Sequence, residues 1–360
     1  MRKHYLDNIR WITVLLVAIY HVIFMYNGIS TALTLEPFHP RQLQDGFLYL
    51  VYPWFMILLF VVSGMASRFY LGSHTVRQFL SSRTRKLLVP STIGLLVFQW
   101  ILGFFSMSIN GAFETMPVDT IPKPVMFLIM AASGIGPLWF IQALWLFSLV
   151  LGLVRKCEKK GKLFALCERV NLPVALLLMI PLWGAAQILN TPVVTVYRMG
   201  VYSLSFFLGY FVFAHEAVVE RLSKNWILLT AAAAVLGIGY VIFYYGGDPW
   251  VDPVVNGPFT ICYAWVAVLA ILAVMHRFGN WDTPFTRLMN RWSFGIYAFH
   301  HMCLSGAAYL MGSSLPGWLS YCILGVAALG GSILLYEVIS RIPVLRFCAL
   351  GMKKEKKDVR

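Results

Sequence analysis

Residues 6–21 read LDNIRWITVLLVAIYH: a polar, charged lead, then an apolar run that continues through Val22, Ile23 and Phe24. An apolar stretch of about 20 residues crosses a bilayer core of about 30 Å as a helix. The run begins behind Arg2, Lys3 and Arg10 but meets His21 and Asn27 and no small-residue cleavage site. It is therefore expected to be a retained first helix and not a secretory leader. Working outward, runs of the same kind begin near positions 11, 45, 87, 136, 172, 201, 226, 259, 293 and 317. They imply an all-α polytopic membrane protein of about ten transmembrane helices, with residues 1–345 as one transmembrane domain and 346–360 as a basic cytoplasmic tail. Residues 121–133 (IPKPVMFLIMAAS) are apolar but too short and too proline-broken to span, and read as a re-entrant or interfacial segment.

Composition agrees. The 360 residues are 59% hydrophobic and 12% charged, against about 25% charged in soluble domains. The net charge of +14 would suggest nucleic acid if it formed a patch. It lies instead in short clusters between apolar runs, which is topology and leaves no nucleic-acid partner. Of the 29 Lys and Arg, 26 fall at the amino terminus, at 68–86, 155–170, 216–225 and 277–292, and after 340, while the alternate loops hold Arg41, Lys123 and Arg198. That alternation places both termini in the cytoplasm. Six cysteines form no C-x-x-C pair, so neither a disulfide framework nor a metal site is expected.

Ionisable residues inside a span are costly and usually functional. Here they are His21, His300, His301 and Glu337. His21 follows Arg10 by eleven residues, a rise of about 16 Å, and eleven steps of 100° return to within about 20° of the start. The two thus share a helix face, with Asp7 three residues before Arg10 to orient its guanidinium. His300 lies nine residues after Arg291, about 13 Å deep by the same rise. Two histidines from remote helices reach similar depth. His301 points about 100° away from His300, so one of the pair is expected to share a site with His21, and His300 is favoured because Tyr297 adds a polar group to its face. Ser63 and Gly64 interrupt the second span just inside Arg68, where small residues admit a neighbouring helix or a ligand. Arg83, Arg85 and Lys86 stand before Pro90 at the mouth of the third span; they serve as positive-inside charge or, since Arg forks match phosphate oxygens, as phosphate ligands. Asp248, Trp250 and Asp252 in GGDPWVDP, and Phe113 with Glu114, are outer-loop groups that grip a sugar or simply sit in the interface.

LDNIRWITVLLVAIYH, FVVSGM, FLSSRTRKLLVP, GPLWFIQALW (136–145) and SFGIYAFHH (293–301) occur in the order seen in the membrane-embedded acyltransferase family 3, which the chain resembles over most of its length. The resemblance implies an O-acyltransferase that takes an acyl group, most often acetyl, from cytoplasmic acetyl-CoA or another acyl-CoA and delivers it to a hydroxyl of an extracytoplasmic carbohydrate or glycolipid acceptor. It implies a plasma-membrane location among membrane lipids and no metal. Residue by residue it makes His21, Arg10 and His300 catalytic, and Arg83, Lys86, Ser63 and Gly64 cofactor-binding; the neighbouring cations Arg85 and Arg68 join them as cofactor-binding candidates by their charge. Trp139, Tyr297 and Glu337 become the substrate-binding candidates. Val89 stands where a second proline is common, and Arg85 is an extra cation between the matched basic positions. With no room for a hydrolase-like outer domain, direct acylation of a glycan is expected, as in the glucan-modifying branch. The competing reading is a proton-coupled transporter or lipid-linked sugar flippase, with His21, His300 and Glu337 as a proton relay; the inner basic cluster argues against it, since a proton carrier has no need to bind phosphate.

Overall fold

The structure, a computed structural model, describes residues 3–29, 42–158, 161–191, 197–312 and 315–352. Its elements are α1 (His4–Phe24), α2 (Asp45–Leu71), α3 (Val76–Ile109), α4 (Lys123–Ser133), α5 (Gly136–Cys157), α6 (Leu172–Ala185), α7 (Met199–Phe213), α8 (Glu216–Lys224), α9 (Trp226–Tyr244), α10 (Pro258–Phe278), α11 (Pro284–Met311), α12 (Gly317–Arg341) and α13 (Pro343–Leu350). No named strand occurs among the described residues. The chain is an all-α polytopic membrane protein.

Seven of these helices, α1, α2, α3, α5, α9, α10 and α12, are long and apolar enough to cross a membrane. The other three expected spans differ from them for separate reasons. Helix α11 has the length, 28 residues, but carries Arg287, Arg291 and two histidines that lower its hydropathy. Helix α7 turns through 93° into α8. Helix α6 is broken at Leu178 into two short pieces. The segment expected to be too short to span is α4, eleven residues started by Pro124 at its first turn.

Two compact units divide the chain: residues 1–13, 41–79 and 147–290, and residues 14–40, 80–146 and 291–360. In the first, α2 and α7 cross at backbone contact. A Cβ at Gly64 would overlap the Phe206 carbonyl, and one at Gly209 would overlap the Val61 carbonyl. Small residues at a membrane crossing let dispersion and packing replace the hydrophobic effect that lipid removes. Phe60 and Tyr202 stack beside it at 4.9 Å. The polar lead of α1 is also fixed here: the Asn8 amide donates to the carbonyls of Gly279 (2.7 Å) and Trp281 (2.9 Å), and its Oδ1 accepts from the Trp11 indole. Those bonds tie α1 to the turn that follows α10, whose carbonyls have no helical partner.

The second unit repeats the device. A Cβ at Gly103 would overlap the Met130 carbonyl and one at Gly134 the Gln99 carbonyl, so α3 and α4 touch through backbone. Helix α3 widens twice into π-helical turns, Thr84–Leu88 and Leu95–Gln99. The first lies just before Pro90, whose missing N–H and ring obstruct the ordinary ladder to the preceding turn. Val22, Met25 and Tyr26 pack with Leu304, Ala308, Leu324 and Ala328 into one apolar cluster. The expected tail boundary at 346 falls inside α13, whose Ala349 and Leu350 are buried, and Gly351 (φ +59°) packs on the Arg85 carbonyl. The rest of that tail, 353–360, lies outside the described residues, as does Arg41.

Candidate functional site

The second unit brings three imidazoles together. His21, near the end of α1, lies against His300 and His301 of α11, with ring centroids 5.1 and 5.0 Å away. Both α11 histidines therefore share the site, against the expectation that only one would. Residues 100° apart occupy neighbouring faces of α11, and the His21 ring sits over the edge between them, 66° from the plane of His301 and 49° from that of His300. His300 is fully buried.

Hydrogen-bond partners fix the tautomers. His300 Nδ1 lies 2.8 Å from the Ile296 carbonyl and 3.0 Å from that of Tyr297, and His21 Nδ1 lies 2.8 Å from the Val17 carbonyl. A carbonyl oxygen only accepts, so each Nδ1 carries its proton and each Nε2 of the neutral rings keeps a lone pair. His300 Nε2 lies 3.3 Å from His21 Nδ1, so the His21 N–H is shared between Val17 and His300. What remains to His21 is Nε2, a basic nitrogen. A proton taken there makes an imidazolium whose far N–H already faces a second acceptor, the role a carboxylate fills in other catalytic pairs.

Around the imidazoles the unit leaves further polar groups in apolar surroundings. Tyr297, one turn before His300, donates its hydroxyl to the Pro137 carbonyl and packs edge-on to Phe140 at 5.9 Å. Gln99 donates to the Ala298 carbonyl at 3.2 Å while its Oε1 is buried without a partner, and His301 Nδ1 is likewise unpartnered. Buried orphans of this kind cost free energy unless something fills them, which makes them candidates for an incoming hydroxyl. Sequence named His301 only as the less favoured of the α11 pair, and did not single out Gln99. The signal for Gln99 was present: an amide alone in LLVFQWILGFF.

The remaining expected residues fall elsewhere. Glu337 is not at the histidines: its carboxylate accepts from Arg291 (3.0 Å) and the Trp292 indole (2.8 Å), with Arg341 at 3.8 Å. Nine residues separate Arg291 from His300, about 13 Å of helix, so a relay through His21, His300 and Glu337 has no short path. Trp139 is half-buried, beside Phe140 at 6.4 Å, in the first turns of α5. Arg10 is exposed and pairs with Asp7, as the spacing suggested. Gly64 is closed off by the α7 backbone, and the Ser63 carbonyl accepts from Ser67. Arg85 has an Nε that is buried without an acceptor; Lys86 is exposed, and Arg83 half-buried. In GGDPWVDP, Asp248 accepts from the Trp250 amide and Asp252 from Asn256, so both carboxylates serve local turns. Phe113 and Glu114 line an open depression of about 620 Å³ with Phe104 and Asp119. No group of His, Cys, Asp and Glu suited to a metal occurs among the described residues.

A helical membrane protein with a histidine cluster among its spans and basic residues at helix ends is thus the class that fold and site define. The family described as "Acyltransferase domain" matches residues 3–337, and the chain belongs to that acyltransferase family. It is similar to the glucans biosynthesis protein C of Escherichia coli O139:H28, 22% identical over 383 residues, covering 99% of this chain and 96% of the relative. The protein of the same name from Shigella boydii serotype 4 is also 22% identical, over 380 residues with the same coverage. No solved structure matches the chain significantly. The protein is a multi-pass membrane O-acyltransferase, and the carrier alternative loses its ground.

Proposed function

We propose that the chain transfers an acetyl group from acetyl-CoA, or the acyl group of another acyl-CoA, from the cytoplasmic side of the plasma membrane to a hydroxyl of an extracytoplasmic glycan or glycolipid. Both termini are cytoplasmic in this reading, and α6, α7 and α11 complete ten spans. The relatives named for glucan biosynthesis favour a glucan as the acceptor.

The observation that carries the mechanism is the tautomer-fixed pair of His21 and His300. His21 Nε2 takes the proton of the acceptor hydroxyl as its oxygen attacks the thioester carbonyl. The carbon–sulfur bond then breaks, the new ester forms, and the proton passes from His21 to the departing thiolate. The Val17 carbonyl and His300 Nε2 stabilise the transient imidazolium without moving, which is how preorganised groups lower a barrier. General base catalysis of this kind supplies about 10²–10⁴-fold; holding thioester and hydroxyl together supplies the rest. Arg83, Arg85 and Lys86 hold the phosphates of the donor. The buried Nε of Arg85 supports this, because a phosphate oxygen would satisfy it. Tyr297, Gln99 and His301 orient the hydroxyl, and Phe113 with Glu114 receives the glycan. Glu337 serves as the ion-pair partner of Arg291.

Proteoliposomes with labelled acetyl-CoA outside and glucan trapped inside test this reading. Protein inserted with its basic loops outward is expected to label the trapped glucan. Labelling only of glucan supplied on the same side as the donor would overturn the transmembrane route.

A further inference from the structure

In the first unit, away from the three histidines in sequence and use, two guanidinium groups meet at one hydroxyl. Arg68, in the last turn of α2, and Arg155, in the last turn of α5, both donate to the Tyr210 hydroxyl oxygen, at 3.2 and 3.4 Å. Neither has a carboxylate partner among the described residues. The nearest acid in sequence, Glu158, spends its Oε1 on the backbone N–H groups of Leu163 and Phe164. Like charges brought this close repel, and a phenol oxygen offers each only a shared, neutral acceptor. Cations at helix carboxyl ends are ordinary, but solvated ones spread apart. These converge.

Their convergence is built. Tyr210 is fully buried and belongs to the π-helical turn Gly209–Phe213, a geometry that recurs at functional sites. The Arg68 guanidinium carbon lies over the Phe164 ring, 3.6 Å from its centroid, and His215 stacks on the same ring at 3.8 Å. Two groups that close cannot share one face, so Phe164 is clamped between them, and His215 is itself tied to the Phe164 carbonyl at 2.8 Å. Arg68 is thereby held in one orientation with donors to spare, and each guanidinium has five.

We infer that Arg68, Arg155 and Tyr210 form a binding site for a phosphomonoester, whose oxygens accept from both guanidinium forks while the tyrosine spaces them. The ligand is a dianionic phosphate carried by a nucleotide or by an anionic lipid headgroup. Assigning the nucleotide case to the acyl-CoA donor rests on the proposed function; the site itself does not. Arg155 and Tyr210 lie outside every motif quoted above, and no signal in the sequence joins them to Arg68.

Adenosine 3′,5′-bisphosphate is the probe, titrated calorimetrically into the full chain in nanodiscs of phosphatidylcholine, at low and high salt. The unmodified protein is expected to bind it, with affinity falling as salt rises. Arg155→Gln is expected to weaken binding at least tenfold and Tyr210→Phe severalfold. Arg155→Lys, which keeps the charge and loses the fork, should bind about threefold or more weakly with its melting temperature unchanged, which guards against a misfolded glutamine variant. His21→Ala should bind as the parent does, so failure of the catalytic reading leaves this result standing. Displacement of the probe in nanodiscs containing phosphatidic acid would support the site with a lipid headgroup as its occupant. Unchanged affinity in folded Arg155→Gln and Arg155→Lys, or equal binding of unphosphorylated adenosine, would overturn it.

Discussion

Replacing His300 by phenylalanine tests the pair without emptying the fully buried position, since the ring fills similar volume. What disappears is Nε2, the acceptor 3.3 Å from His21 Nδ1. In the resting enzyme the loss is small, because the His21 N–H keeps the Val17 carbonyl at 2.8 Å. In the transition state the same N–H belongs to a developing cation, and hydrogen bonds to charged groups are worth about 1.5–3 kcal/mol. At 1.36 kcal/mol per tenfold in rate, kcat should fall by about 10- to 160-fold. KM for the donor should hardly move, since the interaction strengthens only as the proton transfers. The assay is initial-rate transfer of labelled acetyl in nanodiscs, with thermal melting as the fold control. His300→Gln, whose amide oxygen can accept, should recover part of the loss. A folded His300→Phe protein within twofold of the parent rate would refute the pairing.

Gly64→Ala and Gly103→Ala should each lower the melting temperature, because the added methyl meets a backbone carbonyl that no side-chain rotation can move; overpacking of this kind costs about 1–3 kcal/mol. Gln99→Leu should reduce the rate while preserving or raising the melting temperature, since it removes a buried acceptor without a partner. Glu216, outside the spans, is raised by burial, but Lys3 and His276 outweigh that and hold its carboxyl below the ordinary value. A lowered folded value stabilises above the unfolded pKa and is lost as pH falls through the folded one, so Glu216→Gln should flatten the acid loss of stability, by no more than about 1 kcal/mol for so exposed a pair.

Apolar length made most of the membrane helices legible in the sequence alone. Helix α6 was less so, although its signal was present: Pro181 has no N–H to give the Leu177 carbonyl and its ring crowds that turn, which is where the helix breaks, at Leu178. Position 346, where the basic tail was expected to begin, falls inside α13, an eight-residue helix whose buried end the neighbouring basic residues do not announce. At the site, counting rise from Arg10 and from Arg291 was enough to put His21 and His300 at one depth, and the rings do meet. A 100° step takes His301 to the next face of α11, but a ring on a neighbouring helix straddles two successive residues. Glu337 counted as an intramembrane acid because sequence cannot show that Arg291 and Trp292 already hold it. Gly64 allowed either a helix or a ligand, and only the Phe206 carbonyl decides for the helix.

Transfer of labelled acetyl from acetyl-CoA to glucan by the purified protein in nanodiscs, measured beside His21→Ala, tests the central claim most directly. Loss of the base is expected to cost about 10²-fold or more in kcat while the variant melts with the parent and still binds the donor. A folded His21→Ala protein that transfers at the parent rate would contradict the account.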